Sequence, residues 1–454
     1  MNTNKNKVES RKNNLIGGQA NLKANEKNNG ITIVALAITI IIIIILSTIT
    51  INMAFGDNGL IQQAKNTKEQ AEGMVNTEEG KMQEVLQEYA NVMAADSEIT
   101  TPEEPTLPSG WDSSKVTALE KDGSIIPIPI GYVASEATGE NTIDGGLVIY
   151  EGTTPVTDSN VSTAKTSRNQ FVWVPVDDIN DIAWEAQNGG TDSNGRTNYQ
   201  GKLYNFTASG ATEMTSYGQG TTSYREPDIV TYYDGTDATS NASYFTEAIS
   251  SSMTGEQFKT QLQEEFNEMI ESVDTYGGFY IGRYETGNLA ENKTTKPLVV
   301  KGNESVGGAR WYYLYQNSKL IKANDNVAST MIWGCMWDRT LIWLAETNAK
   351  NSENGKSYTE IVNSSTWGNY NSRNQQPTGK DDKWKANNIY DLAGNAYDWT
   401  LEVYGINYST SRVTHGGDCN MTGSNGPASN RRNTTPINYG SNYGTRSALY
   451  IAVD

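Results

Sequence analysis

The residues best suited to do chemistry are scarce in this chain. One histidine, His415, and two cysteines, Cys335 and Cys419, serve all 454 residues. Nucleophilic catalysis needs a hydroxyl or thiol beside a general base, and zinc sites gather several imidazoles or thiolates. A single imidazole weighs against most hydrolytic chemistries, and two thiols are too few for a secreted disulfide framework. Cys335 sits among Met336, Leu341, Ile342 and Leu344 in a stretch with core character, so it reads as a small buried hydrophobe. The net charge of −18 excludes a nucleic-acid face, which needs concentrated Lys and Arg.

Binding chemistry is concentrated near the C-terminus. Between Gly417 and Arg446 the sequence is dense in Asn, Ser, Thr and Tyr. Tyrosine supplies rigid contact area and the small polar residues supply adaptable hydrogen bonds. The expected contact positions for a protein or glycan ligand are Asp418, Asn420, Thr422, Asn425, Asn430, Arg432, Asn433, Asn438, Tyr439, Asn442 and Tyr443. The alternative is an ordinary polar loop.

Three ordered motifs frame this segment: Asn388-Ile-Tyr-Asp-Leu-Ala-Gly-Asn-Ala-Tyr-Asp-Trp399, then Arg412-Val-Thr-His-Gly-Gly-Asp418, then Tyr443-Gly-Thr-Arg446. As scaffold, Gly394 permits a tight turn and Asn395 can bond backbone in irregular structure. Tyr397 and Trp399 supply core surface, and Arg412 and Arg446 need buried carboxylates or carbonyls. The motif order, with the upstream runs FVWVPV (171–176) and GGFYIGRYETG (277–287), resembles the formylglycine-generating-enzyme (sulfatase-modifying-factor) family over roughly 120–454. The resemblance implies an α+β, elaborated C-type-lectin-like fold. Active copper-dependent members carry two cysteines after the glycine pair; those places hold Met421 and Gly426 here. Related iron-dependent sulfoxide synthases need a histidine triad, and His415 is alone. The expectation is therefore a non-enzymatic domain. The family's structural calcium implies a Ca2+ site at Asp398 with the carbonyls of Gly394 and Ala396. Residues 418–443 also resemble the variable region of diversity-generating-retroelement target proteins, in which adenine-directed mutagenesis diversifies a ligand-binding face.

The elements that must present this face begin with an anchor. Residues 31–51 read ITIVALAITIIIIIILSTITI, with no charge until Asp57. Roughly 20 apolar residues span a membrane's hydrocarbon core. The leader, residues 1–30, holds Lys5, Lys7, Arg11, Lys12, Lys23 and Lys27 against Glu9 and Glu26, which keeps it cytoplasmic and places the acidic remainder outside the cell. A cleavable secretory signal is the competitor, but no A-x-A site follows the apolar run. The basic leader ending in Gly30 before this helix resembles a type IV prepilin signal. That implies cleavage by a prepilin peptidase between Gly30 and Ile31 and pilin-like subunits as partners. The fifth mature residue is Ala35 where major pilins carry glutamate, which disfavours packing as a repeated filament subunit. An amphipathic helix continues to residue 93; with the apolar run it would form a rod of about 95 Å. Residues 94–110 read as a Pro- and acid-rich linker.

In the body, 111–454, strands are expected at 125–130, 146–150, 170–176 and 278–284. The prolines in these runs favour edges or ends of strands. Residues 185–245 read as a polar surface insertion without periodicity. Helices are expected over 255–273, capped by Thr254 and Gln257, and over 334–346.

Overall fold

The computed structural model describes residues 106–186, 189–214, 224–227, 240–304, 306–404 and 411–453. The chain divides into two compact units, Met1–Thr101 and Pro102–Asp454, and every described residue belongs to the second. The leader, the Gly30–Ile31 junction, the apolar segment, its amphipathic continuation and linker residues 94–105 lie outside the described residues. Among the described residues no helix is long and apolar enough to cross a membrane.

The described body mixes helices and sheets in an α+β arrangement. Its larger sheet is antiparallel, with strands in the order Val327–Met331, Ser447–Ile451, Gly278–Gly282, Gln170–Pro175, Val148–Glu151 and Tyr132–Ala134. Side chains alternate between the faces of a strand, and here both faces are buried. Val172, Val174, Phe279 and Ile281 pack into one core with Trp311, Trp333, Trp337 and Trp399. Phe171, Trp173, Tyr280 and Leu449 pack into a second core beneath the hairpin of Val116–Lys121 and Ser124–Pro129. The proline-bearing strand Ser124–Pro129 pairs only with its hairpin partner, as its sequence predicts.

The helix expected over 255–273 runs Gly255–Tyr276. Its capping box forms as read: Thr254 accepts from the Gln257 N–H at 3.2 Å, and the Thr254 N–H donates to Gln257 at 2.8 Å. Gly277, at φ +76°, closes it in the left-handed region. The second expected helix spans Gly334–Lys350, and its Cys335 is buried. The segment read as a polar surface insertion without periodicity carries regular elements and core residues among its described residues. It forms short strands at Tyr199–Gly201, Tyr204–Thr207 and Gly210–Glu213 and a helix at Ser240–Ala248, and it sends Leu203 and Phe245 into the main core.

The smaller sheet carries the candidate site. Strand Tyr397–Tyr404 lies at its centre, antiparallel to Tyr224–Arg225 and Arg412–His415 and parallel to Tyr443–Thr445. Arg432–Thr434 pairs with Arg412–His415 at the outer edge.

Candidate functional site

All three C-terminal motifs meet on the smaller sheet. The Gly416–Gly417 pair ends strand Arg412–His415 with both residues at positive φ, +81° and +72°. A Cβ on Gly417 would run into the Gly426 carbonyl, so the chain folds back tightly as the polar segment starts. Asn395, at φ +62°, accepts from the Gln376 N–H at 2.8 Å and donates to Glu285 at 2.5 Å. It thereby ties loop 371–376 to the central strand.

Burial sorts the expected contact residues. Asn420, Asn425, Arg432, Asn433, Asn438 and Tyr439 are exposed, while Thr422, Asn430, Asn442 and Tyr443 are half-buried. Asp418 corrects the sequence reading: it is 3% exposed and lies under the face. Its carboxylate accepts from the side-chain amides of Asn420 at 2.9 Å and Asn442 at 2.8 Å, bracing two ends of the segment against each other. Tyr443 stacks on Tyr397 with ring centres 5.4 Å apart and contacts Trp399 at 5.7 Å. The Arg432 guanidinium lies 5.2 Å from the centre of the Tyr397 ring and donates to its hydroxyl at 2.5 Å. Tyr439, 60% exposed, is approached by the Arg310 guanidinium at 5.0 Å.

Sequence reading missed loop 371–376. The backbone N–H groups of Asn371, Ser372 and Arg373 donate to the carbonyls of Met421 and Cys419, and Gln375 donates to the Ser441 carbonyl at 2.6 Å. Asn371, Ser372, Arg373 and Asn374 are exposed and extend the same polar face. Their Asn- and Ser-rich composition was the available signal.

Beneath the sheet lies a buried charged cluster. Arg431 donates to Glu402 at 3.0 Å, pairs with Asp338, and reaches the Tyr204 carbonyl at 2.8 Å. His415 Nε2 lies 3.2 Å from Glu402, with its ring 5.0 Å from that of Trp337. Glu226, brought in by the insertion, accepts from the Gly334 and Cys335 N–H groups, where the positive end of helix Gly334–Lys350 favours an acceptor. Burial and then nearby Glu402 push the Glu226 carboxyl up to about 8. Burial likewise raises Glu402 to about 7 and Asp338 to about 6 against the pull of Arg431. Burial, with Arg431 next, holds His415 well below the ordinary imidazole range. The isolated histidine of the sequence is thus a core group among acids.

A second buried set surrounds Arg446, which donates to Asp398 at 3.3 Å and to the carbonyls of Gly282 and Tyr390. Burial raises Asp398 to about 6 even beside Arg446. At the expected calcium set of Asp398, Gly394 and Ala396, the Arg446 guanidinium faces one Asp398 carboxylate oxygen, and the other oxygen is buried without a hydrogen-bond partner among the described residues. Among the described residues no group of three or more His, Cys, Asp or Glu side chains is placed to hold a metal. Cys335 and Cys419 are both buried and unbonded to each other. Cavities lie elsewhere: an open one of about 430 Å³ is lined by Ile125, Trp173, Arg339 and Trp343, and one of about 270 Å³ by Glu265, Lys319 and Tyr450.

Fold and site together define an α+β body that presents a broad polar and aromatic face on an ion-paired framework. No family model matches the chain, and no curated protein matches it. Among solved structures it is similar to CarF at 12% identity, covering 39% of this chain and 87% of that one, with a TM-score of 0.28. It is similar to PvdO from Pseudomonas aeruginosa at 15% identity, covering 39% and 82%, with a TM-score of 0.27. It is also similar to Treponema denticola variable protein 1 at 14% identity, covering 63% and 97%, with a TM-score of 0.23.

Proposed function

We propose that this chain is a non-enzymatic, surface-displayed ligand-binding protein whose contact face is formed by residues 371–376 and 420–443. One observation carries the reading: Asn420, Arg432, Asn433, Asn438 and Tyr439 are exposed together, while Gly417 and Asp418, which turn and brace the segment, are buried beneath them. Exposed amides and tyrosines on a rigid support are suited to adaptable recognition, because they add contact area and hydrogen bonds at low ordering cost. Display outside the cell rests on the apolar run 31–51 behind a basic leader, with processing between Gly30 and Ile31. The reading includes diversification of the face by a retroelement, on the resemblance of residues 418–443 to the variable regions of such target proteins.

The test is to present the purified full chain to arrays of glycans and of bacterial and phage surface proteins. Saturable binding that disappears on combined Asn433→Ala and Tyr439→Ala, with the melting temperature unchanged, is the expected result. Binding to nothing on either array, or binding indifferent to both substitutions, contradicts the assignment and leaves a minor pilin without a ligand of its own. In the coding DNA, substitutions relative to a neighbouring template copy should be confined to adenines.

A further inference from the structure

The described arginine side chains of the body fall into three groups. Arg196, Arg283, Arg310, Arg339, Arg431 and Arg446 each face a carboxylate. Arg168 and Arg412 lay their guanidiniums on main-chain carbonyls. Arg373 and Arg432 are exposed and make no ion pair among the described residues, and both stand on the candidate face.

Arg432 is held in place. One of its nitrogens donates to the Tyr397 hydroxyl, the guanidinium lies against that ring, and Tyr397 is itself stacked on Tyr443. A guanidinium fixed on one side keeps its other N–H groups in the planar fork that matches a carboxylate. Arg373, at φ +58°, is tied through its N–H to the Cys419 carbonyl at 3.2 Å. The same loop receives Asn371 at the Met421 carbonyl, and Met421 Sδ lies 2.6 Å from the Tyr397 hydroxyl, so both arginines are built around one loop. No carboxylate among the described residues is paired with either of them. Asp418 is buried on Asn420 and Asn442, Glu291 is held by Arg310, and Glu304 is a rim charge on the loop that meets Gly440.

We infer that the ligand is an acidic protein surface whose Asp or Glu carboxylates dock on Arg432 and Arg373. The inference rests on the reading of this face as ligand-binding. On a chain of net charge −18, two exposed guanidiniums without an ion pair among the described residues give the face docking points for carboxylates, which favours an acidic partner there. The breadth of the face favours a protein over a saccharide, since small ligands are ordinarily held in concave sites and the two cavities described above lie elsewhere.

The full chain, in nanodiscs of neutral lipid, is titrated onto immobilised poly-L-glutamate, hyaluronate and poly-L-lysine. Saturable binding to poly-L-glutamate alone is expected, weakening as salt rises from about 50 to 300 mM. Arg373→Gln combined with Arg432→Gln should weaken it about tenfold or more, with circular dichroism and melting temperature unchanged. Lys322→Gln combined with Lys350→Gln removes the same charge at exposed sites on other parts of the body and should change binding less than about twofold. An equal loss in that control, capture by hyaluronate in place of poly-L-glutamate, or no binding at all overturns the inference. If a ligand from the protein or glycan arrays binds the double arginine variant as tightly as the parent, the acidic partner falls while the ligand-binding reading stands.

Discussion

Arg431 and Arg432 are neighbours in the chain, yet Arg431 turns inward onto Glu402 and Asp338 while Arg432 lies on Tyr397 in the open. The same contrast divides the two regions to which they belong. Below the sheet, Glu226, Asp338, Glu402, His415 and Arg431 are packed against one another and against a helix N-terminus. On the face, Asn420, Asn433 and Asn438 meet solvent. A buried ion needs its partner because desolvation is costly, whereas an exposed amide is hydrated with or without one. The framework is therefore restricted in sequence and the face is free to change, which is what a binding surface on a fixed scaffold requires.

The largest expected effect comes from breaking the framework. Arg431→Ala leaves Glu402 and Asp338 without their guanidinium and should cost about 3–5 kcal/mol in urea unfolding. Arg432→Ala, one residue on, should cost less than about 1 kcal/mol. Equal losses in the two would erase the contrast. Gly417→Ala forces a side chain into the left-handed region and against the Gly426 carbonyl, and should cost about 2 kcal/mol by the same measurement.

A smaller effect is the pH dependence of the buried acids. Glu226 and Glu402, raised to about 8 and about 7, and Glu285, raised well above the carboxylate range by burial, Asp391 and Asp398, hold protons in the fold that the unfolded chain has released. Their contribution is complete below their unfolded values near 4.5 and is lost as pH rises through the folded ones. His415, held below its ordinary range, acts in the opposite direction, but only below about 6.5, where the unfolded chain takes up its proton. Between about pH 6.5 and 8.5 the melting temperature should therefore fall, and Glu226→Gln, which has no proton to release and keeps one oxygen to accept from Gly334 or Cys335, should flatten the slope. A melting temperature that climbs across that window would contradict the assignment of these protons. The smallest effects belong to the face: Asn420→Ser, Asn433→Ser and Asn438→Ser should each shift stability by less than about 0.5 kcal/mol in thermal unfolding.

Much of the fold was legible in local sequence. The alternating runs 170–176 and 278–284 became adjacent central strands, and Thr254 with Gln257 marked a helix start, because these signals depend on near neighbours. Less was legible where contacts are distant in sequence. His415 looked solitary because Glu402 and Trp337 come to it from other elements, and Glu226 lay inside a stretch without periodicity. The strands at 199–213 carry few apolar residues, so nothing marked Leu203 as core. Composition located the face, but it could not separate Asp418 beneath it from Asn420 upon it, nor show that the Asn- and Ser-rich loop about fifty residues upstream joins it.

A saturating substitution scan of residues 416–446, scored by protease resistance of the folded chain, tests the division of framework from face most directly. The account predicts that Asn420, Asn425, Arg432, Asn433, Asn438 and Tyr439 accept nearly any residue, while Gly417, Asp418, Arg431 and Arg446 accept almost none. Tolerance spread evenly over both groups, or concentrated at Arg431 and Arg446, would contradict it.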